Sequence, residues 1–98
     1  MNKRNLISLV TMFLPLFIYG QSSIGGVVSD ESNNPIVGAN VIVEGTDLGS
    51  AADADGYYSI DLGAGSYTLT SSAIGYKSQS TGVSIKEGDV VITNFVLS

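Results

Sequence analysis

The chain has 98 residues, 44% hydrophobic and 13% charged, with 12 glycines, 2 prolines and no cysteine, histidine or tryptophan. That length holds one small domain, and the missing His and Cys exclude Ser-His-Asp and Cys-His nucleophiles, zinc sites of that kind, redox CxxC pairs and haem attachment. Four Lys and Arg against nine Asp and Glu, a formal charge of −5, argue against nucleic acid as a partner, because phosphate binding rests on clustered basic side chains.

The first twenty residues have the layout of a secretory signal peptide. Lys3 and Arg4 precede an almost uninterrupted apolar run from Leu6 to Tyr19, and Gly20 offers a small residue for cleavage. The alternative is a retained anchor, but a helix over that run spans only ~21 Å against a hydrocarbon core of ~30 Å. Pro15 weakens a permanent span further. Cleavage leaves residues 21–98 as one domain in which Lys77 and Lys86 stand against nine acids, a net charge of −7. With no disulfide available, that domain holds itself by packing and sheet hydrogen bonds, a core supplying roughly 3–5 kcal/mol net.

From Ser23 onward apolar residues alternate with period two, interrupted by turn residues, as in a sandwich or barrel. Ile24, Gly26 and Val28 share one face of a first strand. The turn Asp30 to Pro35 follows, where Asn tolerates the left-handed conformation and Pro35 removes a ladder donor. Ala39, Val41 and Val43 line the inner face of a second strand, with Asn40 and Glu44 outward. A short third strand lies around Leu48 to Ala52. Asp53-Ala-Asp-Gly56 turns the chain into Tyr57 to Leu62, with Tyr58, Ile60 and Leu62 inward and Tyr57 outward. Gly63-Ala-Gly65 leads to Ser66–Ala73, whose inner face is Tyr67, Leu69, Ser71 and Ala73, and Gly75-Tyr76 ends it. Lys77 to Ile85 is a polar edge strand. Glu87-Gly-Asp89 introduces a last strand, Val90 to Leu97, with Val91, Thr93, Phe95 and Leu97 on one face. About seven strands predict a compact antiparallel Greek-key β-sandwich.

In order, the turn and core positions read G-x-V-x-D (Gly26, Val28, Asp30) and P-x-x-G-A-x-V-x-V-x-G-T (Pro35, Gly38, Ala39, Val41, Val43, Gly45, Thr46). Then come G-x-x-x-D-x-D-G-x-Y (Gly49, Asp53, Asp55, Gly56, Tyr58), G-x-Y-x-L (Gly65, Tyr67, Leu69), I-G-Y (Ile74, Gly75, Tyr76) and F-x-L (Phe95, Leu97). This series resembles the carboxypeptidase regulatory-like domain, a transthyretin-like seven-stranded sandwich, in the version found at the N-terminus of TonB-dependent receptors of Gram-negative outer membranes. The resemblance covers Ser23 to Leu97. It implies export to the periplasm or outer membrane, no cofactor, and a protein partner in the cell envelope: a receptor plug and barrel, or a periplasmic protein. In those receptors a plug and barrel follow the sandwich, so the chain is expected to be either a fragment of a receptor or a sandwich exported alone. The motif residues are structural in this reading. Gly38 and Gly45 avoid an obstructed turn or close backbone approach, Gly56 takes a positive φ, and the Tyr67 hydroxyl reaches a backbone group from the core. Asn33 stands where the family often has Gly.

Three further patterns bear on chemistry. Asp53-x-Asp55-Gly56 opens like a calcium loop, yet Ala64 occupies the position of the twelfth, bidentate ligand, so a solvated turn is the expectation. Outward-facing Tyr57 is a candidate contact for a glycan, but such platforms need two or three aligned rings, and Tyr58, Tyr67 and Tyr76 read as packing positions. No carboxylate pair sits among residues that would form an apolar pocket, and no serine is placed beside Lys77 or Lys86, so no enzyme is expected. The alternatives are a freestanding exported domain binding carbohydrate or a surface partner, and an accessory domain of a secreted carboxypeptidase.

Overall fold

A computed structural model describes residues 22–98. The signal peptide expected over residues 1–20, and its expected boundary with the domain, lie outside the described residues. Eight strands follow one another: β1 (Ser23–Asp30), β2 (Asn40–Val43), β3 (Gly49–Ala51), β4 (Tyr57–Asp61), β5 (Gly65–Ser72), β6 (Gln79–Ile85), β7 (Val90–Ile92) and β8 (Phe95–Leu97). They form two sheets. One has the order β4-β1-β7, with β8 continuing along β1 beyond β7, and the other has the order β3-β2-β5-β6. The chain passes between the sheets after β1, β3, β4 and β6, so each sheet mixes early and late strands.

Alternation decides which residues meet between the layers. Val41 and Val43 of β2, Tyr58 and Ile60 of β4, and Leu69 of β5 are buried while their neighbours in sequence are exposed or only partly covered. Ile24 and Val28 of β1 face them, joined by Phe95 and Leu97 of β8. Each such side chain contributes about 1.5–3 kcal/mol of burial free energy. The Tyr58 and Phe95 rings meet at 6.0 Å between centroids with planes inclined by 52°, within the range favoured by aromatic pairs. As expected, β6 is an edge strand.

The end of the chain departs from expectation. Val90–Leu97 is not one antiparallel strand. It is broken at Thr93-Asn94 into β7 and β8, both parallel to β1 (Ile24 opposite Val91, Val28 opposite Phe95), whereas every other ladder is antiparallel. Counted as one kinked strand, the pair restores the sevenfold sandwich. The kink exists because β1 has glycine beside it. A Cβ on Gly26 would collide with the Thr93 carbonyl oxygen and lie 2.7 Å from Asn94 Oδ1. Thr93 N–H still donates to Gly25 O at 2.9 Å, so the ladder bends without losing its fastening.

Gly38 and Gly45 are needed for a different reason from the one expected. Nothing lies within 4 Å of a Cβ at either, but their φ angles are +82° and +79°, where a side chain strains the backbone whatever the space. Asn33, with φ 71°, takes the left-handed position without glycine. Tyr76, read as a packing position, is exposed, and so is Ile74 of the same motif, because β5 ends at Ser72 and the chain leaves the sheet before reaching them. Tyr67 is only partly buried at the rim, with its hydroxyl donating to Gly63 O at 2.8 Å.

The two glycine mechanisms predict different costs. Gly26→Ala forces two backbones apart and should lower unfolding free energy by about 3 kcal/mol or more, whereas Gly38→Ala meets only backbone strain and should cost about 1–2 kcal/mol. Urea unfolding of both variants checks the ranking. Ser71 is fully buried on the inner face of β5 and its Oγ has no hydrogen-bond partner. Removing an unsatisfied buried hydroxyl relieves its desolvation cost, so Ser71→Ala should raise stability by about 1 kcal/mol. A lower urea midpoint for that variant contradicts this.

Candidate interaction surface

The outward faces of the two sheets differ in chemistry. On the β4-β1-β7/β8 sheet the outward positions are Tyr57 of β4, Gly25 and Val27 of β1, Val90 and Ile92 of β7, and Val96 of β8. Register puts Val27 opposite Tyr57, Gly25 opposite Ile92 and Ser29 opposite Val96, so these side chains form neighbouring rows on one surface. Val90 is 72% exposed, Ile92 62%, Val96 52% and Tyr57 46%. Scattered exposed apolar residues are ordinary, but a contiguous set on one sheet face marks an interaction site. The Tyr57 ring is the expected outward aromatic, and it lies across Gly25: a Cβ there would meet its hydroxyl at 3.2 Å.

The kink shapes one end of this face. The Thr93 carbonyl, turned towards Gly26, accepts the Tyr58 hydroxyl at 2.6 Å, which satisfies a backbone acceptor that the ladder has released. Asn94 Oδ1 accepts the Val27 N–H at 2.9 Å, substituting a side chain for the missing ladder carbonyl. Beside it a depression of about 300 Å³ is lined by Val27, Ser29, Asn33, Pro35, Asp55, Asn94 and Val96. Sequence reasoning placed Tyr57 on the surface but missed Gly25, Val90, Ile92, Asn94 and Val96. Their signal was the outward half of the same alternation, read only for its inward half.

The opposite sheet presents hydroxyls. Ser66, Thr68, Gly82, Ser84 and Glu44, with Tyr67 and Val83, border a shallow depression of about 640 Å³ over β5 and β6. Thr70 Oγ1 donates to Glu44 Oε2 at 2.6 Å. Its single proton is then spent, so the 2.8 Å contact with Ser80 Oγ has Ser80 as donor. Ile42 is the large apolar side chain exposed on β2 here.

The remaining motif residues fasten turns. Asp53 Oδ1 accepts the N–H groups of Asp55 and Tyr57, both at 2.9 Å, and Gly56 N–H closes on Asp53 O at 2.9 Å with φ at +79°. The D-x-D-G segment is thus a side-chain-capped turn, and among the described residues no group of three His, Cys, Asp or Glu is placed to hold a metal ion. Asp30 Oδ1 accepts the N–H of Ser32 and of Asn34, each at 2.9 Å. The Asn34 N–H above all holds the Asp30 carboxyl below its ordinary value, against an opposing desolvation. Thr46 Oγ1 donates to Val43 O and accepts the Leu48 N–H, at 2.9 and 3.0 Å, clipping the β2–β3 turn. Pro35 bridges to Ser29, Ala39 is buried, and Gly65 and Gly75 stand at the start of β5 and in the turn after it.

The family resemblance that these motifs carry is borne out by comparison with known proteins. The family model described as the CarboxypepD_reg-like domain matches residues 24–98. TonB-dependent receptor P39 of Formosa agariphila is 38% identical over 86 residues, 88% of this chain and 8% of that protein. TonB-dependent receptor SusC of Bacteroides thetaiotaomicron is 33% identical over 75 residues, 76% of this chain and 7% of that protein. The chain therefore spans less than a tenth of the length of these relatives. Among solved structures, chains in two mutant type II cohesin–X–dockerin complexes of Acetivibrio cellulolyticus superpose with TM-scores of 0.67 and 0.65. They are 21% and 22% identical, over 78% of this chain and 56% of each of theirs, which is a likeness of fold.

Tyr58 supplies the titratable test of the kink. Burial, reinforced by Tyr57, pushes its phenol up to about 12 from an ordinary value of 10.0. The folded state holds this proton more tightly than the unfolded chain, so the contribution is complete below pH 10 and is lost as pH rises through about 12. Tyr58→Phe should cost roughly 1–3 kcal/mol at neutral pH by orphaning the Thr93 carbonyl. The same change should flatten the alkaline fall in stability. Thermal melts of both proteins from neutral to strongly alkaline pH check this, and parallel alkaline curves would refute it.

Proposed function

Because the chain belongs to the CarboxypepD_reg-like domain family, we propose that it is a non-catalytic interaction module of a TonB-dependent receptor in a bacterial envelope, docking a protein partner through the outer face of the β4-β1-β7/β8 sheet. The observation that carries this is the contrast between faces: Val27, Tyr57, Ile92 and Val96 gather on one sheet, while hydroxyls cover β5 and β6 on the other. The relatives' names support the receptor setting, and residues 1–20 serve as the export leader. The motif residues fasten turns and fill the core, which supports a module without catalysis. A glycan platform is less well supported, since Tyr57 is the one large aromatic side chain on the apolar face.

The test is site-specific photocrosslinking in cells, with the reactive residue placed in turn at Ile92 and at Thr68 on the opposite sheet. A discrete envelope-protein adduct from position 92 and none from position 68 is expected. Equal adducts from both positions, or none from position 92, would overturn the proposal. Ile92→Lys, a solvent-exposed change that leaves the core intact, should abolish an adduct formed from a reactive residue at Tyr57.

A further inference from the structure

Strand β6 is the long outer edge of the β3-β2-β5-β6 sheet, and we infer that it accepts an extended, acid-ended segment of a partner protein as a fifth strand. This surface is separate from the apolar face and does not depend on its role. β6 runs for seven residues, all paired to β5, and its other side meets no strand among the described residues. The other edge of the same sheet, β3, has three residues. Natural sheets blunt a long edge with proline, bulges or charges within the strand. Gln79-Ser-Thr-Gly-Val-Ser-Ile85 contains neither proline nor charge, so its backbone groups remain available for strand addition.

Two further observations select the occupant. Gly82 sits at the middle of β6, where a Cβ would find no atom nearer than 4.0 Å. Glycine weakens a strand interior and commonly marks close approach by another backbone, and the open space beside it admits a side chain from an added strand. The charges sit at the ends. Lys77 and Lys86 are the only basic side chains among the described residues, against nine acids, and they bracket β6, whose seven residues span about 23 Å at ~3.3 Å per residue. A second copy is a weaker occupant. Paired antiparallel about Gly82, it would bring Lys77 of each copy near both Lys86 and Glu87 of the other, so its charges largely cancel, and like charges close across a ladder are destabilising. A segment with a carboxylate at each end places an anion beside each lysine. At the Lys86 end Glu87 and Asp89 are close by, and Asp89 Oδ2 accepts the Lys86 N–H at 3.1 Å. At the other end the Lys77 N–H already donates to Ser98 O at 2.7 Å, so what Lys77 offers is its ammonium, which has no Asp or Glu within five positions in sequence and carries more of the attraction.

The experiment titrates the whole chain with a capped nonapeptide of alternating Thr and Val ending in Glu at both termini. A Lys-ended counterpart and an acid-ended form N-methylated at alternate backbone nitrogens serve as controls, and amide hydrogen exchange is followed by NMR. The acid-ended peptide should slow exchange within Gln79–Ile85, and the N-methylated form should not. The Lys77→Glu, Lys86→Glu double variant should bind the acid-ended peptide about tenfold more weakly and prefer the Lys-ended one, with Lys77→Glu the larger single effect. Both lysines are exposed, so the fold should survive, and an unchanged thermal melt confirms it. Protection elsewhere or nowhere, equal binding of Lys-ended and acid-ended peptides by the native chain, or concentration-dependent protection of β6 without peptide would each overturn the inference.

Discussion

The Thr93 carbonyl, turned out of its ladder into the space beside Gly26, is the contact on which the rest of the sandwich depends. A released backbone acceptor inside a protein costs free energy unless a donor reaches it, and the Tyr58 hydroxyl does so at 2.6 Å. That one hydrogen bond joins the last strand to β4 across β1. It also brings Tyr58 against Phe95 and lets the chain resume pairing with β1 as β8. Phe95 and Leu97 can then enter the core next to Val28 while Val96 points away from it. Without glycine at position 26 the bend has no room, and without the bend the closing residues lose their register.

The apolar outer face follows from this arrangement. A sheet that covers one side of a small core ordinarily shows polar residues to water. Here the segment that closes the fold is apolar on both faces, with Val91, Phe95 and Leu97 turned inward and Val90, Ile92 and Val96 outward. Outward valine and isoleucine do nothing for the core, and they lower the solubility that nine carboxylates otherwise provide. Their presence in a chain that is otherwise acidic and hydroxyl-rich fits a module that spends its working life against something else. The relatives are more than ten times its aligned length.

Much of the fold could be read from alternation and turn chemistry. Val41 and Val43, or Tyr58 and Ile60, separate from their neighbours by period two alone. Asn33 and Gly56 declare positive φ through the few residue types that tolerate it. The direction of the last strand could not be read, because period two is the same for parallel and antiparallel partners and the partner lies some 67 positions away. Tyr76 misled for a related reason: it continues an aromatic and aliphatic pattern past the point where β5 ends at Ser72. The apolar outer face went unread because alternation divides residues into two sets without saying that both sets are apolar.

Parallel pairing of the first strand with the last has a mechanical meaning. The chain enters β1 at Ser23, beside Val90, and leaves β8 at Leu97, beside Asp30, at opposite ends of a strand roughly 25 Å long. A pull applied between the two exits runs along these strands, across the direction of the hydrogen bonds that join them. The bonds are then loaded together in shear and do not open one after another like a zipper. A tether built through this sandwich would hold under tension up to the simultaneous rupture of the whole ladder.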